Sequence, residues 1–302
     1  MSASHRSNGH PRGATHGRRD AHAPAETGRL RLRAAGRRAR ILAVSSGKGG
    51  VGKTTLAANL GLELARLGRR VLLLDGAVGR GNLALLFGQA PKRTLEDALA
   101  DRCAVDQVVV ALRERLWLVP AVAGGGRPGD LTAAERSRLL GEVARLAIEP
   151  DVLLIDTAVA DTVGRDLAAL ADRTLLLTTH EPTALSDTLG ALKAAPRGPA
   201  GSAPAVDVVV TMAPSQAHAR DTHGRLGRLT ERFLGFTPSL VAVVPRDDAV
   251  GEAIVRQEPL VTIYPYAPAS RAIASFARAL ADSRGTDHAT PHVSPLAVPV
   301  RR

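Results

Sequence analysis

Nine consecutive residues, Gly47-Lys48-Gly49-Gly50-Val51-Gly52-Lys53-Thr54-Thr55, concentrate the chemistry of this chain. They satisfy the spacing G-x-x-x-x-G-K-[ST], directly after an apolar run and at the opening of a helical pattern. Glycines let successive backbone N–H groups curl around an oxyanion, and the N-terminus of the following helix adds partial positive charge. In that arrangement Lys53 reaches the β- and γ-phosphates and Thr54 places its hydroxyl on Mg²⁺. Thr55 suits the α-phosphate. The expected ligand is a nucleoside triphosphate, ATP with Mg²⁺.

Lysine usage supports this reading. The chain holds four lysines against 36 arginines, and two of the four are Lys48 and Lys53. Arginine presents a bulky planar fork and lysine a compact point charge, so a tight phosphate cradle accounts for the choice. Two carboxylates, Asp75 and Asp156, each close an apolar run, VLLLD and VLLID. A pair so placed in a phosphate-loop protein points to function more than to helix capping.

These residues need a scaffold. Apolar runs at 41–46, 70–75, 115–119, 151–156, 173–179, 206–211 and 239–244 alternate with helical patterns at 52–67, 131–147, 163–171, 182–194, 222–235, 247–256 and 268–282. Such alternation predicts an α/β fold, a mostly parallel twisted sheet with helices on both faces. The mixed charges of 131–147 suggest a solvated surface helix, and Trp117 falls in an apolar run as a core residue. One domain over 41–282 is expected, between a basic N-terminal tail, 1–40, and a C-terminal tail, 283–302. The formal charge of +11 belongs to those tails: residues 1–40 carry ten arginines against Asp20 and Glu26, while 41–282 is close to neutral. A basic segment such as 29–40 suits nucleic acid or an anionic membrane surface. The single cysteine, Cys103, excludes an internal disulfide framework and any iron–sulfur site built within one subunit, and fits a reducing cytoplasm. The nine histidines lack metal-ligand spacing.

The early lysine in KGGVGKTT makes the loop resemble that of the deviant-Walker ATPases of the MinD/ParA class, and the resemblance extends over about 41–282. RVLLLDGAVGRGNLALLFG is similar to the second strand and switch I of that class, and DVLLIDTAVAD to its Walker B strand and switch II. TTHEPTALSDTLGALK, FLGFTPSLVAVVPRDDAV and YPYAPASRAI most resemble the FlhG-type regulators of flagellar number, with the MinD type next. The resemblance implies an ATP-sandwiched homodimer in which Lys48 contacts phosphate across the interface. It makes Lys48, Lys53 and Asp156 catalytic, Asp156 a Walker B ligand of Mg²⁺ through water, and Asp75 a neighbour of Lys53 and the metal shell. Glu181 would meet nucleotide or partner, or cap the following helix. A protein partner from a flagellar or positioning system is also implied, with a cytoplasmic location or a peripheral one at the inner membrane.

Several positions depart from the pattern. Ala77 stands where the class carries an aspartate that positions the attacking water. Ala158-Val159-Ala160 replaces a glycine-bearing switch II, with Asp161 directly after it as the candidate substitute for the missing acid, and Thr211 replaces an asparagine that reads adenine. Binding is thus expected to survive, hydrolysis to be slow and base selectivity to be relaxed. The C-terminal tail has three prolines and no apolar helical face for lipid, and Ala25–Arg31 lacks the Asp-Gln start of the FlhG partner motif. A ParA-like DNA-partition ATPase and a nucleotide-binding scaffold without turnover are the alternatives.

Overall fold

The computed structural model describes residues 39–77, 81–121, 131–147, 150–157, 162–195 and 205–283. Residues 1–38 of the basic tail, 158–161, the whole 196–204 connection and the C-terminal residues 284–302 lie outside the described residues. Eight strands form one sheet: β1 (Arg40–Ser46), β2 (Val71–Gly76), β3 (Val110–Arg113), β4 (Leu116–Val119), β5 (Val152–Thr157), β6 (Arg173–Thr178), β7 (Val206–Ala213) and β8 (Ser239–Pro245). Their order is β3-β4-β2-β5-β1-β6-β7-β8, parallel throughout except for the antiparallel β3–β4 pair at one edge.

The strands are apolar on both sides because helices cover both sides. Leu42, Val44, Leu73, Leu154, Leu177 and Val209 face α1 (Lys53–Arg66) and α9 (Pro268–Asp282), where Leu56, Leu60, Ile273 and Phe276 complete one core. Alternate positions Ile41, Leu72, Leu74, Leu153 and Ile155 face the other side. They pack against α2 (Leu95–Leu99), α3 (Ala133–Leu146) and α4 (Thr162–Ala169). A third cluster joins β6 and β7 to α5 (Pro182–Ala194) and α6 (Gln216–Leu234). Two shorter helices, α7 (Ala249–Arg256) and α8 (Leu260–Ile263), precede α9. Asn59 ties this end to the loop helix: its amide donates to the Thr55 carbonyl at 2.7 Å and accepts from the Val261 N–H at 3.0 Å.

The structure adds to the expected elements. β1 begins at Arg40, paired with Val152, one residue earlier than the apolar run indicates. α6 starts at Gln216, six residues before its apolar periodicity, because the Ser215 hydroxyl caps the His218 N–H at 3.3 Å. α3 is more than a solvated helix, since Leu139, Val143 and Leu146 are buried. Trp117 is core, at 9% exposure, with the Arg70 guanidinium over its ring.

Candidate functional site

β1 ends at Ser46, and the chain turns through Gly47–Gly52 into α1 at the carboxyl end of the sheet, where the strand order reverses about β1. Ligands of open α/β sheets bind at such a crevice. Gly50 and Gly52 have φ of 75° and 89°, left-handed values that glycine adopts without steric cost. Gly52 is also the N-cap of α1 and supplies no side-chain oxygen. The first N–H groups of the helix therefore lack a side-chain cap and are available to an anion. Gly47 is needed for closeness: a Cβ there would stand 2.1 Å from the Asp187 carbonyl oxygen of α5.

The two loop lysines are placed differently. Lys53 is buried, and its ammonium donates to the Ser46 hydroxyl at 2.9 Å. Ser46 in turn donates to the Lys48 carbonyl at 2.6 Å, so this one hydroxyl fastens both ends of the loop. Burial pulls the Lys53 pKa down, and the nearby Asp156 carboxylate opposes that shift. Lys48 instead points out of the loop, half-exposed. It pairs with the Glu181 carboxylate and donates to the Thr183 hydroxyl at 3.1 Å. Glu181 occupies the N-cap position of α5 without capping it; its carboxylate goes to Lys48, which holds its pKa down.

Asp75 and Asp156 are register partners on β2 and β5, each about 2% exposed. Asp75 accepts from the backbone N–H of Ala77 at 3.2 Å and of Leu83 at 3.1 Å, one through each oxygen. It thus ties the backbone of Ala77 and of Leu83 to the end of β2. Burial raises its pKa to about 6, against those two donors. Burial raises Asp156 further, to about 7; the Thr54 hydroxyl and Lys53 lower it, and Asp75 raises it. Oδ1 of Asp156 is buried and has no hydrogen-bond partner among the described residues. An orphaned carboxylate oxygen beside the Thr54 hydroxyl, at the mouth of a phosphate cradle, fits hydrated Mg²⁺. Thr54 and Asp156 are the residues that would hold it.

Thr211, expected to contact nucleotide with relaxed selectivity, directs its hydroxyl to the phosphate loop. Its hydroxyl donates to the Val51 carbonyl at 2.8 Å, with the Thr178 carbonyl at 3.3 Å, and the residue is buried. Its single proton braces the phosphate loop from β7, leaving no donor for a base. Ser46 and Thr183 carry no motif of their own, and only the folded positions of Lys53 and Lys48 reveal them. Ala77 presents a methyl group, and the sequence between Asp75 and Glu96 contains no acid to replace the missing aspartate.

The raised carboxyls make an expected result. Both bind protons more tightly folded than unfolded, so their contribution to stability falls as pH rises from about 4 to about 7. Asp156→Asn removes the larger part of that fall. Thermal melts without divalent cation, at about pH 4 and about pH 7.5, should show the variant gaining a few degrees on the native chain between the lower pH and the upper. Equal melting of both proteins at both pH values would remove the buried-charge penalty from the site.

Comparison with known proteins agrees with this geometry. A family profile described as the CobQ/CobB/MinD/ParA nucleotide binding domain matches residues 42–260. The antiactivator FleN of Pseudomonas aeruginosa is 34% identical over 240 residues, covering 79% of this chain and 85% of the relative. The septum site-determining protein MinD of Synechocystis is 41% identical over 151 residues, 49% of this chain and 56% of the relative. Among solved structures, MinD from Pyrococcus horikoshii with Mg-ADP superposes with a TM-score of 0.63 at 24% identity, covering 81% of this chain and 96% of that one. The MinC:MinD complex of Aquifex aeolicus gives 0.65 at 24% identity, with 87% and 99% covered.

Proposed function

We propose, because this chain belongs to the CobQ/CobB/MinD/ParA nucleotide-binding family, that it is a switch whose two loop lysines serve two subunits. It is a MinD/FlhG-like P-loop ATPase that uses ATP and Mg²⁺ and takes part in spatial organisation. One observation carries the proposal. A single loop buries Lys53 against Ser46 and holds Lys48 outward on α5. Lys53 serves the nucleotide of its own subunit. Lys48 leaves Glu181 and Thr183 to reach the phosphate of a second copy, and the dimer closes around two nucleotides.

When bound, Mg²⁺ neutralises charge building on the phosphates. The residues of the chain do the rest: the loop N–H groups and Lys53 hold the phosphates, and Thr54 and Asp156 fix the metal side. Asp75 holds the backbone N–H groups of Ala77 and Leu83 beside it. Ala77 leaves the attacking water without an acid to orient it, so the closed state is long-lived. A regulator of flagellar number or placement is the role the FleN relative favours, with division-site placement next. A protein partner reads the closed dimer. Whether residues 29–40 engage a membrane surface or DNA is decided by comparing vesicle and DNA binding with and without residues 1–40.

Slow hydrolysis carries its own test. Ala77→Asp is expected to raise steady-state phosphate release by about tenfold or more, as water-positioning groups contribute orders of magnitude. Phosphate release unchanged by the substitution would mean that another group already positions the water.

A further inference from the structure

The acidic pair, Thr54 and Lys53 lie on the β2–β5 side of the phosphate loop, so the metal and terminal phosphate belong there. The nucleoside must then leave on the opposite side of β1, over the ends of β6, β7 and β8. On that side Thr211 is occupied by Val51, and the next residue, Met212, is unusual in its backbone. Its φ is 52°, in the left-handed region that a bulky side chain rarely enters. It sits where the β7–β8 register shifts between Val210 and Ala213. An outlier of this kind beside a ligand loop asks for a function.

The side chain supplies one. Met212 is 41% exposed, and its terminal methyl lies 4.0 Å from where a Cβ on Gly52 would stand, beside the last glycine of the loop. At the end of β8, Asp247 accepts from the N–H of Ala249 at 3.1 Å and of Ala269 at 3.0 Å, one through each oxygen. Arg246 is exposed there and carries only donors, which suit N7 of either purine and O6 of guanine. No side-chain amide stands at either strand end, in residues 211–213 or 245–247.

We propose that Met212 is the nucleoside-contacting residue of this site, its thioether forming an apolar shelf for the base and ribose, so that guanine nucleotides bind alongside adenine ones. A flexible, polarizable side chain packs against either ring. An apolar shelf discriminates by about tenfold to a few hundredfold, whereas a site built to hydrogen-bond one partner discriminates by about ten-thousandfold or more. This rests on the nucleotide-binding reading above.

The chain contains two methionines, Met1 and Met212. Full-length protein labelled with methyl-¹³C methionine therefore has one internal reporter methyl. With Mg²⁺ present, ADP and GDP should each move the Met212 resonance, inorganic tripolyphosphate should not, and calorimetric affinities for ADP and GDP should lie within about tenfold. Met212→Gly relieves the left-handed backbone, so it should melt no lower than the native chain. It should lose about tenfold or more in affinity for both nucleotides while keeping its affinity for tripolyphosphate, and Met212→Leu should restore most of the loss. Binding of all three ligands with an unmoved methyl, or ADP preferred over GDP by more than about a thousandfold, would overturn the assignment of Met212 alone. Binding of none of the three would overturn the nucleotide reading and this proposal with it.

Discussion

Lys53→Ala is expected to abolish nucleotide binding, lowering affinity for a Mg²⁺-bound, non-hydrolysable ATP analogue by about a hundredfold or more. Three observations set that size. Lys53 is buried, so its charge acts in a medium that screens poorly. It is the cation beside Asp156, in a site where two carboxyls already titrate near neutrality. Its hydrogen bond to Ser46 also holds the start of the loop, so truncation removes a phosphate ligand and loosens the cradle. Lys53→Arg should fail nearly as badly, because a planar fork does not fit beside Ser46. The fold should survive, since the loop packs through Gly47 and Val51 rather than through Lys53. Calorimetry is the check, with circular dichroism to confirm folding. Affinity within about threefold of the native chain would take Lys53 out of the site.

The second large effect concerns Lys48. Lys48→Ala should leave nucleotide affinity of the single chain within a few-fold, since Lys48 points away from the loop, and should eliminate the ATP-dependent dimer. A charge-assisted contact to phosphate across a closed interface contributes about thirtyfold or more to association. The Glu181 contact makes the opposite prediction. In the single chain Glu181 and Thr183 compete for the ammonium, so Glu181→Ala should lower the ATP concentration at which half the protein is dimeric. The change should be only a few-fold, because an exposed pair contributes little. Light scattering during an ATP titration distinguishes the two. Dimers persisting in Lys48→Ala would contradict the division of labour between the lysines.

The strands were legible because parallel strands covered on both faces read as continuous apolar runs, and RILAVSS, VLLLDG and VLLIDT are such runs. β3, a four-residue antiparallel edge strand, has too little length and alternation to announce itself. The head of α6 is polar on every side, and only the Ser215 cap marks it. Within the site, the phosphate loop was legible because its chemistry is local: nine neighbouring residues curl around one ligand. Partnerships formed by folding were not. Ser46 gains its role from Lys53 seven positions on, Thr211 from Val51, and Glu181 from Lys48 across 133 residues. Thr211, which stands in place of an adenine-reading asparagine, braces the loop, and Met212 beside it carries no motif.

The central claim, one loop with an inward and an outward lysine that couples nucleotide to pairing, is tested most directly by sedimentation velocity. Full-length protein is spun with Mg²⁺ and either ADP or a non-hydrolysable ATP analogue, alongside Lys48→Ala. The native chain should sediment as a single copy with ADP and as two copies with the analogue, and the variant as a single copy with both. A native chain unchanged by the analogue, or a variant that pairs as the native chain does, would contradict it.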